Sequence, residues 1–230
     1  MANIRVAFEN ESWAGDELDV KEKTILLNQL YNVIGADSGA LQSIFRDNEA
    51  KILSAAAVAK LQNNANFTGM SASDRELGFQ MIRPFHVLRS TAGTETPTNT
   101  WARTFTVDGD YWIGQGTDNT TAINIDKRLV VLPLAIAFTG GLQPTVEELL
   151  FQLNSTTYPV SVVRWAWQAD NVNRIRYARI RPMIWPGKAT VLGRNWSIAA
   201  QANVEMVLVG LTFGTGDILR LQSSTAAPQT

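Results

Sequence analysis

Apolar side chains in the first third of the chain recur at helical spacing. Between Val20 and Ile34 they fall on one helix face, and Gly35 then provides a stop. A second stripe predicts one helix from Ser38 to about residue 62. Its Ala55–Ala57 run leaves room for a close helix neighbour or a partner chain. A third, short helix is predicted to end before Pro84.

Beyond residue 90 the pattern changes to that of β-strands. Residues 91–100 are a polar, proline-containing linker, and apolar residues alternate with polar ones over 101–107. Residues 185–188 predict a turn, and Val146–Leu153 predicts a short helix with Glu147 and Glu148 at its positive end. Further strands are predicted over residues 123–138, 159–168, 174–184, 196–202 and 203–213.

The pattern predicts an α+β chain that is mainly β. We expect a helical N-terminal arm over residues 1–90, an antiparallel β-sandwich over 91–222 and a flexible tail over 223–230. Helices do not alternate with strands, which argues against a doubly wound sheet. We further expect the sandwich to remain soluble, but unable to assemble, once the arm is removed.

Composition narrows the function classes. The chain has 230 residues, of which 45% are hydrophobic and 18% charged, as in globular proteins. Its net charge of -1 gives no strong attraction to nucleic acid or membranes. The absence of cysteine excludes disulfides and thiolate nucleophiles. The start has no signal-peptide pattern, and the longest apolar run is too short to span a membrane, which predicts synthesis in the cytoplasm.

Catalytic chemistry has few candidates, and we expect neither an enzyme nor a cofactor. The single histidine, His86, has no Gly-x-Ser-x-Gly motif with it, so a packed or hydrogen-bonded histidine is favoured over a catalytic base. Asp108, Asp110 and Asp118 lie in a glycine-rich stretch that could hold calcium or act as acid and base. Turn geometry explains them equally well, so a carboxylate-based hydrolase stays the second alternative.

Tryptophan and arginine are concentrated in one region. Trp165 and Trp167 are two positions apart and share one strand face. Aromatic side chains next to arginine are typical of protein interfaces, and also of single-stranded nucleic acid binding, which the net charge disfavours. The predicted interface residues are Trp165, Trp167, Arg174, Arg176, Arg179, Arg181 and Trp185. The alternative is a carbohydrate-binding or receptor-binding module that stacks sugars on these tryptophans.

Charge is unevenly distributed between the two halves. Acidic residues outnumber basic ones over positions 9–23, whereas the region around Arg174–Arg181 is basic. The acidic arm and the basic strands could complement each other between subunits, or pair within one chain. The sequence leaves both arrangements open.

The strands from Trp101 to Phe213, the helix Val146–Leu153 between them and the apolar closing segment 203–213 resemble single jelly-roll capsid proteins of icosahedral viruses. The resemblance is architectural and covers about the last 130 residues of the chain. It implies self-assembly into a shell, as a capsid or a minor or cementing protein. Its implied partners are other copies of the chain and other shell proteins, and its implied location is the virion. A helical arm differs from the short basic arm of such proteins, which disfavours direct genome contact.

Overall fold

A computed structural model describes residues 18–34, 39–66, 77–91, 94–97, 101–105, 111–113, 122–139, 146–154, 156–161, 176–197, 201–215 and 219. Helices in these ranges are α1 (Val20–Ile34), α2 (Gly39–Arg46), α3 (Glu49–Asn66) and the single turn α4 (Pro84–Val87). The first three come before the sheets along the chain. The helical content is therefore concentrated at the N-terminal side, as the sequence predicts.

The described strands form two five-stranded sheets and a small two-stranded one. They are β1 (Leu77–Met81), β2 (Arg89–Thr91), β3 (Thr94–Pro97), β4 (Ala102–Phe105), β5 (Tyr111–Ile113), β6 (Ile123–Asn124), β7 (Val130–Thr139), β8 (Val146–Leu153), β9 (Thr156–Ser161), β10 (Arg176–Arg179), β11 (Thr190–Ser197) and β12 (Gln201–Thr215). Sheet 1 has the order β1-β12-β7-β10, with β4 also on β12. Sheet 2 has the order β5-β11-β8-β9, with β6 also on β11. Every pairing in both sheets is antiparallel.

Two hydrophobic clusters show that the chain is built in three layers. The interior cluster lies between the sheets and includes Val131 and Ile136 from sheet 1 with Leu149, Phe151 and Val191 from sheet 2. The helix-side cluster joins the helices to the other face of sheet 1. It includes Ile44, Phe45, Ile52, Val130, Leu132, Leu134, Leu211 and Phe213. Sheet 1 is thus covered on both faces.

Alternation along β7 explains this two-sided burial. Val130 and Leu132 belong to the helix-side cluster, and Val131 between them belongs to the interior cluster. Successive side chains of a strand point to opposite faces, so a strand covered on both faces needs apolar residues at nearly every position. All side chains from Val130 to Ala137 that contribute to the two clusters are almost fully buried.

The alanine run of α3 contacts sheet 1. Ala55, Ala56 and Ala57 are fully buried, and α3 lies against β7 and β12. Short side chains let the helix approach the sheet closely, as the sequence suggested for a helix or a partner chain. The neighbour in this structure is the chain's own sheet.

Two of the helix predictions are wrong because pairing partners distant in sequence determine the structure. The segment Val146–Leu153 is strand β8, paired with β9 and β11. Leu149 and Phe151 are buried in the interior cluster while Leu150 between them is half-buried, which is strand alternation. The short helix expected before Pro84 is replaced by strand β1, which pairs with β12. Only the single turn α4 follows it.

The predicted helix from Ser38 to residue 62 is broken at Asp47 and Asn48. The Asn48 side-chain amide donates to the Ile44 carbonyl at 2.7 Å, which competes with continued helical bonding at this point. The break divides this segment into two helices with different neighbours. Accordingly, α2 contacts β10 and β7, whereas α3 contacts β7 and β12.

Other sequence predictions are confirmed at the level of an α+β sandwich. Helix α1 has the predicted bounds, and strands are present within residues 101–107, 123–138 and 203–213. The division into an arm and a sandwich at residue 90 stays a prediction. Strand β1 lies before that position and is part of sheet 1. The tail 223–230 lies outside the described residues.

Gly210 provides a test of the close packing in sheet 1. The register between β7 and β12 shifts beside it, and a Cβ there would lie 2.1 Å from the Leu132 carbonyl oxygen. We expect Gly210→Ala to lower the free energy of unfolding by about 1–3 kcal/mol, measured by urea denaturation. Gly39→Ala is the matched control, because nothing lies within 4 Å of its Cβ position. Equal stability of the two variants would contradict this packing.

Deletion of residues 1–66 tests the role of the helical layer. We expect the remaining chain to expose the helix-side face of sheet 1, including Leu132, Leu211 and Phe213, because the helices cover that face. It should bind a hydrophobic dye and aggregate, in contrast to the soluble sandwich expected from the sequence. A monomeric, dye-negative product with a cooperative unfolding transition would show that the sandwich does not need the helices.

Candidate interaction surface

Most of the predicted site residues lie outside the described structure. These are Asp108, Asp110, Asp118, Trp165, Trp167 and Arg174. Arg176 begins strand β10, but its side chain is not described. The roles predicted for these residues therefore stay predictions. Arg179, Arg181 and Trp185 can be placed.

Trp185 is a core residue, and the surface role predicted for it is wrong. Its side chain is fully buried in the interior cluster, with its ring 5.4 Å from the ring of Phe151. Its backbone exchanges hydrogen bonds with Val131 of β7 at 2.8 and 2.9 Å. The bridge between these backbones fixes the tryptophan between the sheets. The indole N–H has no hydrogen-bond partner among the described groups.

Arg179, the last residue of β10, and Arg181, two residues beyond it, are both exposed. The Arg179 guanidinium forms an ion pair with Asp47, which follows α2, and donates to the Ser43 hydroxyl at 2.6 Å. The adjacent guanidinium lowers the pKa of Asp47 by hydrogen bonding to the carboxylate. Asp47 lies outside the acidic segment 9–23, so the complementarity predicted between that segment and the basic strands stays a prediction. Arg181 stays a candidate for contact with another molecule.

A second ion pair links the helices to each other. The Glu22 carboxylate on α1 accepts from the Lys60 ammonium on α3 at 2.8 and 2.9 Å. Asp19 and Glu22 also form a reciprocal capping box, with backbone-to-carboxylate distances of 2.7 and 2.9 Å. The hydrogen bond from Lys60 is the main reason that the pKa of Glu22 is lowered. The Asp-x-x-Glu spacing is a sequence signal that marks this helix start.

Gln62 at the end of α3 joins two turns of the sandwich. Its amide group accepts from the Gly187 N–H at 2.9 Å and donates to the Lys127 carbonyl. A Cβ at Gly187 would lie 2.5 Å from that same carbonyl oxygen, so glycine is needed there. The turn predicted at residues 185–188 is present, with Lys188 at φ 66°. The Gln62 side-chain amide thus stabilises a turn whose position the sequence predicts but whose contacts it does not.

His86 occupies a buried polar position, as the sequence predicts. It is 1% exposed and lies on α4, between β1 and β12. Its Nδ1 atom is 3.0 Å from both the Arg83 N–H nitrogen and the Thr212 hydroxyl oxygen, and its Nε2 atom is 3.1 Å from Gln80 Nε2. Gln80 Nε2 in turn donates to the Leu219 carbonyl.

Asn63 is a buried residue that sequence reasoning missed. Its side chain is 3% exposed, and neither amide atom has a hydrogen-bond partner in the described structure. A polar residue one helical turn beyond the buried Ala59 is the only sequence signal for it. Within the described ranges there is no group of three or more metal-binding side chains, and no described helix is long and apolar enough to cross a membrane.

Comparisons with known proteins show no family for this chain. Neither a protein-family model nor a curated protein matches the chain. Among solved structures, dimeric latent PorU from Porphyromonas gingivalis has 14% identity and a TM-score of 0.27, over 65% of this chain and 14% of that one. The infectious bursal disease virus Gx strain structure has 8% identity and a TM-score of 0.27, over 70% of this chain and 40% of that one. TM-scores this low carry no argument about fold or function.

The two ion pairs predict a specific acid response. Because each cation lowers the pKa of its carboxylate in the folded state, the pairs stabilise the fold at higher pH. This contribution is lost as the pH falls through the lowered folded-state pKa values, which lie below the ordinary 4.5 of Glu22 and 3.8 of Asp47. Glu22→Gln with Asp47→Asn should therefore flatten the loss of stability below about pH 4.5, measured by denaturant unfolding at each pH.

Lys60→Gln with Arg179→Gln provides the matched variant, because it removes the cations and keeps the carboxylates. It should flatten the same part of the pH profile. If both double variants retain the wild-type slope, other groups dominate acid unfolding and these pairs contribute little, as exposed ion pairs often do.

Proposed function

We propose that this chain is a structural protein of a virus shell, built on a jelly roll and acting by self-assembly and protein contact. The observation that carries the proposal is the strand order of the two sheets. A jelly roll is a long antiparallel hairpin wrapped into two sheets, so its eight strands pair from the outside inward: first with last, second with seventh, third with sixth and fourth with fifth. Wrapping then places the third beside the eighth and the fourth beside the seventh.

The pairings of this chain follow that nested order. Counting from the ends inward, they are β1 with β12, β5 with β11, β7 with β10 and β8 with β9. The two wrapping contacts are β12 with β7 and β11 with β8. The first and the second strand of the jelly roll each correspond to two short strands here. Strand β4 pairs with β12 as β1 does, and β6 pairs with β11 as β5 does. This order supports the jelly roll even though Val146–Leu153, one feature of the resemblance, is a strand.

A shell role accounts for the helices better than a carbohydrate-binding role does. The helical layer covers the outer face of sheet 1, so that face is already occupied in a single subunit. Contacts with neighbours then fall to strand edges, to sheet 2 and to the connecting segments. Arg181, exposed two residues after β10, the strand at which the described order of sheet 1 ends, is the residue that we place at such a contact. The same fold also occurs in lectins, so Trp165 and Trp167 keep the alternative open.

Electron microscopy with light scattering tests the proposal. We expect the purified chain, alone or with a partner shell protein, to form particles of uniform size whose mass is many times that of the monomer. A chain that stays monomeric under both conditions and binds a glycan would instead support the carbohydrate-binding alternative. Hydrolysis that is lost in the Asp108→Asn and Asp110→Asn double variant would support the hydrolase.

Charge reversal tests the contact. Arg181→Glu should reduce particle formation at least about tenfold, because a reversed charge at a contact adds repulsion and leaves the opposing group unpaired. Lys188→Glu is the matched control: it makes the same charge change at an exposed position on the 187–188 turn. If both variants assemble like the wild type, Arg181 does not contribute to the interface. The shell role is still supported in that case, because the chain forms particles.

A further inference from the structure

Helix α1 buries one face and exposes the opposite one. Leu30 and Ile34 are almost fully buried and belong to the helix-side cluster. On the other side of the helix, Ile25 is 44% exposed. The exposed residues of this outward face are Lys21, Thr24, Ile25, Asn28, Gln29 and Asn32. The outward face of α1 thus adds a surface to the strand edges, sheet 2 and connecting segments considered above.

The outward face of α1 carries little charge. No residue from Thr24 to Ile34 is charged, so Lys21 is the charged member of the exposed set. Surface helices usually have charged residues on their solvent side, whereas the centres of protein interfaces are depleted of them. The Thr24 hydroxyl donates to the Val20 carbonyl at 2.8 Å, so it keeps a partner when the face is covered. Removing this face from water therefore desolvates no carboxylate and few unpaired groups.

The spacing of the exposed positions suits contact between two copies of the same helix. Lys21, Ile25, Asn28 and Asn32 are separated by four, three and four residues, which is the spacing along which two helices pack side by side. This set is symmetric when the helix is reversed. In an antiparallel pair, Ile25 of each copy lies opposite Asn28 of the other, and Lys21 lies opposite Asn32. A two-fold axis then makes each contact twice, as a self-complementary interface requires.

Charge favours the antiparallel direction over the parallel one. Helix α1 has no basic residue in its last turn, so no cation on the helix balances the partial negative charge of its C-terminal carbonyls. An antiparallel pair brings Lys21 of the second copy to that end, which is attractive. A parallel pair would place Lys21 opposite Lys21 and the two carbonyl ends side by side, and both arrangements are repulsive.

We propose that the outward face of α1 binds the same face of a second copy of this chain, as an antiparallel pair of helices about a two-fold axis. The contact deepens the self-assembly proposed above by naming a surface and its partner, and it rests on that function only for its place in a shell. A helix of 15 residues is about 22 Å long, so the pair covers less than the roughly 1,200 Å² of a stable complex. Alone the contact is weak, but its repetition between many subunits strengthens an assembly.

Crosslinking can capture this weak contact, because the chain has no cysteine of its own. Ile25→Cys and Asn28→Cys are purified separately, mixed in equal amounts at high concentration and oxidised, and the linked peptides are quantified by mass spectrometry. The ratio of mixed to symmetric disulfides should exceed the random-collision ratio at least about fivefold, because a disulfide forms only between Cα atoms within about 7 Å. Asn28→Cys mixed with Ala50→Cys is the matched control and should give the random ratio, since Ala50 is exposed on α3.

Ile25→Lys tests whether the centre of the pair holds it together. The pair Thr24→Cys and Gln29→Cys, which lie opposite each other in the antiparallel arrangement, is linked with a short bifunctional maleimide. Adding Ile25→Lys to both chains should lower the yield of the mixed product at least about tenfold, because it removes the apolar contact and adds like charges near the axis. Adding Ala50→Lys instead makes the same charge change at an exposed position on α3 and should leave the yield unchanged. Circular dichroism and the unfolding transition verify that each variant is folded.

Each outcome of these experiments decides a separate point. A random ratio of disulfides between Ile25→Cys and Asn28→Cys would overturn the helix pair, and an excess of symmetric disulfides would overturn its antiparallel direction. A yield that Ile25→Lys leaves unchanged would overturn the role of Ile25 and with it the proposed contact. The shell role is judged independently: mixed disulfides without particles would support the pair and contradict the shell, and particles with a random ratio would do the reverse.

Discussion

Burial of sheet 1 on both faces is the constraint on which the rest of the structure depends. Strands β7 and β12 lie at its centre, with sheet 2 on one face and α2 and α3 on the other. Full burial of one aliphatic side chain contributes roughly 1.5–3 kcal/mol, and both faces of these strands contribute. The helices are therefore a layer of the fold. The short alanine side chains of α3 and the missing Cβ of Gly210 are consequences of close approach to the same sheet.

Sequence periodicity predicted an element correctly wherever the local pattern and the tertiary environment favour the same secondary structure. Helix α1 has one apolar face and was predicted with its observed bounds, and the alternation near Trp101 predicted β4. It failed for β1 and β8, because these short segments acquire their conformation from partners distant in sequence: Leu77 pairs with Thr215, and Leu153 with Val191. The apolar run over 129–138, interrupted by Pro133, was a signal for a strand buried on both faces.

The sequence predicted which residue types cluster at the candidate site, but not which of these residues are exposed. Aromatic and arginine residues occur together in interfaces and in cores, so their clustering could not distinguish Arg179, which is exposed, from Trp185, which is fully buried. The bridge from Trp185 to Val131 decides its position, and it joins residues far apart in the chain. The packed position of His86 was predictable, because the chemistry expected around a catalytic histidine was missing. Its hydrogen-bond partners were not, because Gln80 and Thr212 meet it only in the folded chain.

The nested strand order also determines when a subunit becomes complete. Strand β12 pairs with β1, β4 and β7, so sheet 1 lacks its central strand until the last long strand is in place. The helix-side face of sheet 1 includes Val209, Leu211 and Phe213 from that same strand. The helices, which come first in the sequence, can therefore dock fully only after the C-terminal part of the sandwich has folded.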